Sequence, residues 1–217
     1  SPKYDLLNHL LSANIDRLWR RKVIRMLEKR QPKTILDIAT GTADFAIAAS
    51  KIKDSMITGI DISEGMLEVG RKKVLKLGLS SKIELIKADS ESLPFDTGCF
   101  DAAIVAFGVR NFENLRKGLT EIQRVLKPGG EFYILEFSKP AKFPIKQLYQ
   151  FYFNKVLPFI GGLVSNNKKA YTYLPDSVNE FPDGLKFLSI LADTGFVEMS
   201  HHEQTFGIAT IYKARKS

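Results

Sequence analysis

Ten residues, Ile35-Leu36-Asp37-Ile38-Ala39-Thr40-Gly41-Thr42-Ala43-Asp44, constrain this chain more than any other stretch. A short apolar run carries an acid, breaks through small residues and passes into a second apolar run, Phe45-Ala46-Ile47-Ala48-Ala49. That order reads as a buried strand, a tight turn and a helix. Roughly 20 residues further on, Ile57-Thr58-Gly59-Ile60 ends in Asp61, the spacing of a nucleoside-binding α/β unit.

The rest of the chain repeats the alternation. Apolar runs rich in β-branched residues recur at 34–38, 56–60, 83–86, 102–106 and 132–137. Helix-length segments at 45–51, 64–77 and 114–126 lie between most of them. Strands alternating with helices predict a parallel sheet covered on both faces, and the continuous apolarity of the runs fits that burial. A helix is expected over 14–29, ended by Pro32, with Trp19 on its packing face, and another over 183–194, stopped by Gly195. The last two runs, 196–201 and 206–213, leave no room for a crossover helix and predict an antiparallel hairpin. No repeat or low-complexity linker interrupts the chain, so one domain is expected.

Composition narrows the class. Of 217 residues, 44% are hydrophobic and 26% charged, an ordinary balance for a globular domain. Cys99 is the single cysteine, which excludes an intrachain disulfide and favours a reducing, cytoplasmic setting. No uninterrupted apolar run approaches the ~20 residues that span a bilayer, and no signal-peptide pattern is visible. The net charge of +8 gathers at 17–25, 71–76 and 213–216. Without an aromatic-basic recognition motif beside them, these clusters read as solvated faces or a contact for an anionic surface, not for nucleic acid. Residues 143–164 carry Phe143, Tyr149, Phe151, Tyr152, Phe153 and Phe159, broken by Pro144, Pro158 and Gly161-Gly162. They read either as a core-packing helix or as an apolar cover over a lipophilic substrate or a membrane surface.

The turn chooses among nucleotides. A dinucleotide site wants three glycines so that backbone can approach a pyrophosphate; this turn has only Gly41, and Asp37 and Asp44 bring negative charge to it. A cationic ligand without phosphate suits it better, and S-adenosyl-L-methionine is such a ligand. Asp61 is placed to accept from the ribose hydroxyls, and Asp89 from the adenine amino group, with the Ser90 N–H beside it. Acids at the ends of successive parallel strands converge where such folds bind ligands. No cluster with metal-ligand spacing is present.

Here the chain resembles the S-adenosylmethionine-dependent class I methyltransferases and, more narrowly, the ubiquinone/menaquinone biosynthesis C-methyltransferases. The narrower match rests on Tyr4-Asp5-Leu6-Leu7-Asn8 with Arg17-Leu18-Trp19, on Phe107-Gly108-Val109-Arg110-Asn111, and on Arg124-Val125-Leu126-Lys127-Pro128-Gly129-Gly130 continuing to Glu136-Phe137-Ser138. Tyr173-Leu174-Pro175-Asp176-Ser177 and Phe181-Pro182-Asp183 extend it. Two positions depart from the pattern: Leu7 where Met is usual and Asp16 where His is usual. The resemblance implies a Rossmann-like three-layer α/β sandwich with a mostly parallel seven-stranded sheet and a C-terminal antiparallel hairpin. It implies one domain over 1–217, with an N-terminal helical lid to about residue 30, to which Tyr4 and Asp5 belong, and an aromatic cover over about 140–182. Its cofactor contacts fall at Thr42, Asp61, Asp89, Ser90 and Ala106, beside Asp37 and Gly41, and its Arg-Asn pair at Arg110-Asn111 on the substrate side.

The activity it implies is transfer of a methyl group from S-adenosylmethionine to a ring carbon of a prenylated quinol, demethylmenaquinol or its benzoquinol counterpart, leaving S-adenosyl-L-homocysteine. Arg110 would stabilise the developing phenolate and Asn111 would hold the ring or a water; the competing reading of Arg110 is a structural ion pair with a strand-end carboxylate. His9 could serve as base, whereas His201 and His202 cannot both line one site. Two other functions stay open: methylation of a different lipophilic acceptor, and a non-catalytic S-adenosylmethionine-binding scaffold. A peripheral membrane contact and a homodimer also stay open as associations.

Overall fold

A computed structural model describes residues 15–151 and 176–217. The chain enters on α1 (Asp16–Glu28), whose Trp19, Val23, Ile24 and Leu27 recur at helical spacing and are buried. Strands and helices then alternate: β1 (Thr34–Ile38), α2 (Asp44–Ala49), β2 (Met56–Asp61), α3 (Glu64–Lys76), β3 (Ile83–Lys87), β4 (Phe100–Ala106), α4 (Leu115–Val125), β5 (Leu126–Phe137). After α5 (Ile145–Phe151) come α6 (Leu185–Asp193), β6 (Phe196–Gln204) and β7 (Ala209–Lys216). The Asn114 side chain caps α4 by accepting from the Lys117 N–H at 3.1 Å.

The seven strands form one sheet in the order β3-β2-β1-β4-β5-β7-β6. Neighbouring strands from β3 to β5 pair in parallel, and β7 pairs antiparallel with both β5 and β6. The expected seven-stranded, mostly parallel sheet with its C-terminal hairpin is therefore present. Because β7 lies between β5 and β6, the strand nearer the end of the sequence takes the interior place. Side chains alternate across the sheet. Ile35, Ile57, Ile104 and Tyr133 pack with α1, α2 and α3 on one face; Leu36, Ile60, Val105 and Phe132 pack with α4 and α6 on the other.

Two sequence expectations change. The second run of the hairpin was drawn from Phe206, but residues 205–207 form a 3-10 turn in which Phe206 takes a left-handed φ of 58° and is 76% exposed. A helix was expected from Asp183; it starts at Leu185, after Gly184 at φ 64°. The aromatic segment is described only as far as residue 151. There α5 buries none of its side chains, and Phe143, Leu148 and Phe151 stand exposed, so this part does not pack as core. Tyr4, Asp5, His9 and residues 152–175 lie outside the described residues. Among the described residues no helix is long and apolar enough to cross a membrane.

Candidate active site

Parallel strands bring their carboxyl ends to one edge of the sheet, where the crossing loops leave a crevice. Here that crevice is a cleft of about 480 Å³, bounded by the turns after β1, β2, β3 and β4. Of the residues expected at the cofactor, Gly41, Asp61, Asp89, Ser90 and Ala106 line it, as does Asn111.

The first turn owes its shape to backbone. Ala39, Gly41 and Ala43 all take left-handed φ values, 52°, 58° and 67°; for alanine this costs roughly 1–2 kcal/mol per residue. The Thr40 N–H donates to the Ile60 carbonyl at 2.8 Å, which ties the turn to the end of β2. Small neighbours leave room: a Cβ on Gly59 would stand 2.9 Å from the Thr40 hydroxyl, and one on Gly108 would stand 2.6 Å from the Ala39 Cβ. A turn poor in glycine is thus accommodated by glycines on the strands and loops around it.

Asp61 fastens the two sides of the crevice. One carboxylate oxygen accepts from the Gly41 N–H at 2.9 Å and the other from the Ser63 N–H at 2.8 Å. Each oxygen keeps a further lone pair for a ligand hydroxyl. Asp89 is exposed and accepts from the Glu91 N–H at 2.9 Å, a local turn that holds its carboxylate at the cleft.

Asp37 and Thr42 are not on the cleft wall. Asp37 is buried behind the turn, where the Thr40 hydroxyl donates to it at 2.6 Å. Burial pushes its carboxyl up to about 7, against the opposing pull of that hydrogen bond and of the Arg20 guanidinium. Thr42 is buried, and its hydroxyl accepts from Lys73 Nζ at 2.6 Å. Both support the turn from behind.

Asn111 faces the cleft, but the Arg110 side chain turns away into a buried ion pair. Its Nη1 donates to Glu136 Oε1 and to the Phe107 carbonyl, each at 2.6 Å, and both charged side chains are 1% exposed or less. The guanidinium lies over the Phe137 ring at 5.5 Å. Its Nε and Nη2 are buried with no hydrogen-bond partner. The ion pair foreseen as the alternative for Arg110 is therefore present, with two donors left over.

Several lining residues had not been singled out: Thr40, Ile62, Met66, Phe107 and Phe112. Ile62 is 69% exposed directly after Asp61. Its apolar side chain beyond the buried run of β2, at the sheet edge where such folds bind ligands, was the signal available for it. Trp19 packs as expected, 6.3 Å from the Phe107 ring and 6.5 Å from Phe137, with its indole N–H donating to Thr205. His201 stacks on Tyr212 and neither it nor His202 lines the cleft. Cys99 lies just before β4, its thiol pushed up by burial.

This fold, with a cleft across the ends of four parallel strands, is that of the S-adenosylmethionine-dependent class I methyltransferases. An S-adenosylmethionine-dependent methyltransferase of Thermotoga maritima superposes with a TM-score of 0.68 at 18% identity, covering 99% of this chain and 95% of that one. The sequence then gives the family: the model of the ubiE/COQ5 methyltransferase family matches residues 1–216, and the chain belongs to that family. Demethylmenaquinone methyltransferase of Bacteroides fragilis is 48% identical over 217 residues, 100% of this chain and 89% of that protein. The ubiquinone/menaquinone biosynthesis C-methyltransferase UbiE of Geobacter sulfurreducens is 46% identical over 218 residues, 100% of this chain and 85% of that protein.

Proposed function

We propose that this protein methylates a ring carbon of a prenylated quinol in quinone biosynthesis, converting demethylmenaquinol to menaquinol. The observation that carries the reading is full-length identity to demethylmenaquinone methyltransferases, 48% and 42% in two of them. It is joined to a cleft whose walls suit a nucleoside with a cationic end.

The residues fit S-adenosylmethionine. A cleft of about 480 Å³ lies within the range of small-molecule sites. Asp61 offers two half-used carboxylate oxygens at the second strand end and would hold the ribose. Asp89 and Ser90 would meet the adenine, with Ile62 and Met66 against its faces. Gly41 and Ala106 would border the amino-acid end, with Asp37 and Thr42 behind the turn. When bound, the cofactor supplies an electrophilic methyl group on a sulfonium.

The chain's own contribution to catalysis is on the acceptor side. A ring carbon becomes nucleophilic when the neighbouring hydroxyl gives up its proton. Arg110 would stabilise the resulting phenolate with Nε and Nη2, the two buried donors that its ion pair leaves unused. Glu136 fixes the guanidinium behind the cleft wall, so those donors would reach the phenolate through an ordered water. Asn111 would hold the ring or an ordered water. Packing the reactants in one cleft supplies orientation, and a single domain with an N-terminal lid over about 1–30 and a cover over about 140–182 is part of this proposal. The prenyl tail makes delivery from a membrane surface part of this reading, with the protein on the cytoplasmic side.

The test is methyl transfer from labelled S-adenosylmethionine to reduced demethylmenaquinol and, separately, to a demethylated benzoquinol, with mass analysis of the product. The expected result is one added methyl on the naphthoquinol ring. Label that reaches neither ring sinks the proposal; transfer to the benzoquinol with none to the naphthoquinol sinks the choice of acceptor.

A further inference from the structure

Three acids crowd the base of the first strand–turn–helix unit: Asp16 at the start of α1, Asp37 in β1 and Asp44 at the start of α2. Asp16 and Asp37 are buried. Arg20 reaches into this group from α1. Its Nη1 stands 3.8 Å from the Asp16 carboxylate and 3.8 Å from that of Asp44, with 11% of its side chain exposed. Its guanidinium lies 5.9 Å from the centre of the Phe107 ring, a wall of the cleft. Lys73 neutralises Asp44 from the other side at 2.8 Å. Asp16 stands one helical turn before Arg20 on α1.

We propose that Arg20 is a positioning residue for the cofactor turn, seating α1 on the first strand–turn–helix unit through Asp16, Asp44 and Phe107 and holding Thr40–Gly41 in its binding shape. The inference rests on the assignment of that turn to the cofactor.

The electrostatics point the same way. The groups facing Asp37 are Arg20 from α1, Asp61 from β2, the Thr40 hydroxyl of the turn and the Ala46 N–H of α2. Burial and Asp61 favour the protonated carboxyl, while Thr40, Arg20 and Ala46 favour the ionised form. The balance falls at about 7, so removing the cation leaves Asp37 protonated at neutral pH. Thr40 then loses a charge-assisted hydrogen bond. Thr40 also lines the cleft and is tied to Ile60 through its backbone N–H, so the cleft wall registers the change.

The experiment is calorimetric titration of S-adenosylhomocysteine into wild type, Arg20→Met and Arg20→Lys, from about pH 6 to about pH 9, with a thermal melt of each variant. Arg20→Met should bind about tenfold more weakly near pH 7, equivalent to about 1.4 kcal/mol, and recover most of the difference near pH 9. Arg20→Lys, which keeps the charge, should restore part of the affinity. Failure of wild type to bind would remove the cofactor assignment itself. Binding by wild type together with an unchanged affinity of Arg20→Met, or a loss that does not vary with pH, overturns the role of Arg20. Should Arg20→Met not fold, the Asp37 carboxyl is titrated by NMR in wild type and in Arg20→Gln, which removes the charge but keeps a polar side chain: an upward shift in Arg20→Gln supports the inference, and an unmoved titration overturns it.

Discussion

The turn side and the Arg110 side of the cleft are both rigid, but they are held in opposite ways. Around Thr40–Gly41 the work is shared among backbone hydrogen bonds, the two oxygens of Asp61 and the space left by Gly59 and Gly108. Around Arg110 it is concentrated in one ion pair with Glu136, closed from water and pressed against Phe137. A shared arrangement loses a little with each change. A concentrated one loses nearly everything with a single change, because deleting one partner strands a buried charge.

That contrast can be broken at its strongest point first. Arg110→Ala should lower the unfolding free energy by about 3–5 kcal/mol, since Glu136 is left buried and unpaired. Urea denaturation measures this, and Arg110→Met with Glu136→Leu in the same chain should recover most of it. A fully stable Arg110→Ala would show that the pair is not the anchor its burial suggests. Because of this loss, the catalytic role of Arg110 is better read in Arg110→Lys, where turnover should fall while S-adenosylhomocysteine affinity stays near wild type.

On the turn side, Asp61→Ala removes the acceptor for both the Gly41 and Ser63 N–H groups. Binding of S-adenosylhomocysteine should weaken about 100-fold, roughly 2.8 kcal/mol, while the melting temperature moves little. An affinity unchanged in calorimetry would remove Asp61 from the site. A smaller effect is expected at Gly108→Ala, whose added Cβ meets the Ala39 Cβ at 2.6 Å; overpacking of this kind costs about 1–3 kcal/mol. Adding Ala39→Gly should relieve it, because position 39 already sits at φ 52°, where glycine is at ease. Without that rescue, the close approach is not what shapes the turn.

The smallest effect concerns Asp37. Its folded carboxyl is raised from 3.8 to about 7, so between those values the folded state keeps a proton that the unfolded chain has lost. The stability this adds is present at low pH and drains away as pH rises toward 7. Asp37→Asn removes the dependence, and its unfolding free energy relative to wild type, measured by urea denaturation, should rise between about pH 6 and about pH 7 by on the order of 1 kcal/mol. A parallel offset at both pH values would place the Asp37 titration outside that window.

What could be read in advance follows the same divide. β1 to β4, and the acids Asp61 and Asp89 at the ends of β2 and β3, were legible because each strand is a short apolar run closed by polar or small residues, and pairing of parallel strands needs nothing beyond that order. Ala39 and Ala43 were not legible as left-handed positions, since alanine gives no sign of it; the sign lay in Gly59 and Gly108, far along the chain. Thr42 was expected at the cofactor from the family resemblance and Asp37 from its charge at the turn, yet tight turns send consecutive side chains in different directions, and both lie buried behind the turn. Phe206 was read as strand from its aromatic ring, and the turn there overrides that preference. Arg110 illustrates the limit from the other side: its type and position were evident, but which way it points is decided by Glu136, on a different strand.

The interior position of β7 bears on how the chain emerges during synthesis. Phe137, the last residue of β5, pairs with Ala209, the first of β7. The five parallel strands can therefore assemble while the neighbour of β5 is still unmade. Until then β5 presents an open row of amide and carbonyl groups with a hydrophobic flank, the kind of edge that captures other chains. Such non-local pairing is also slow to form. Aggregation of newly made protein should thus originate along β5, and chaperone dependence should track the delay between completion of β5 and arrival of β7.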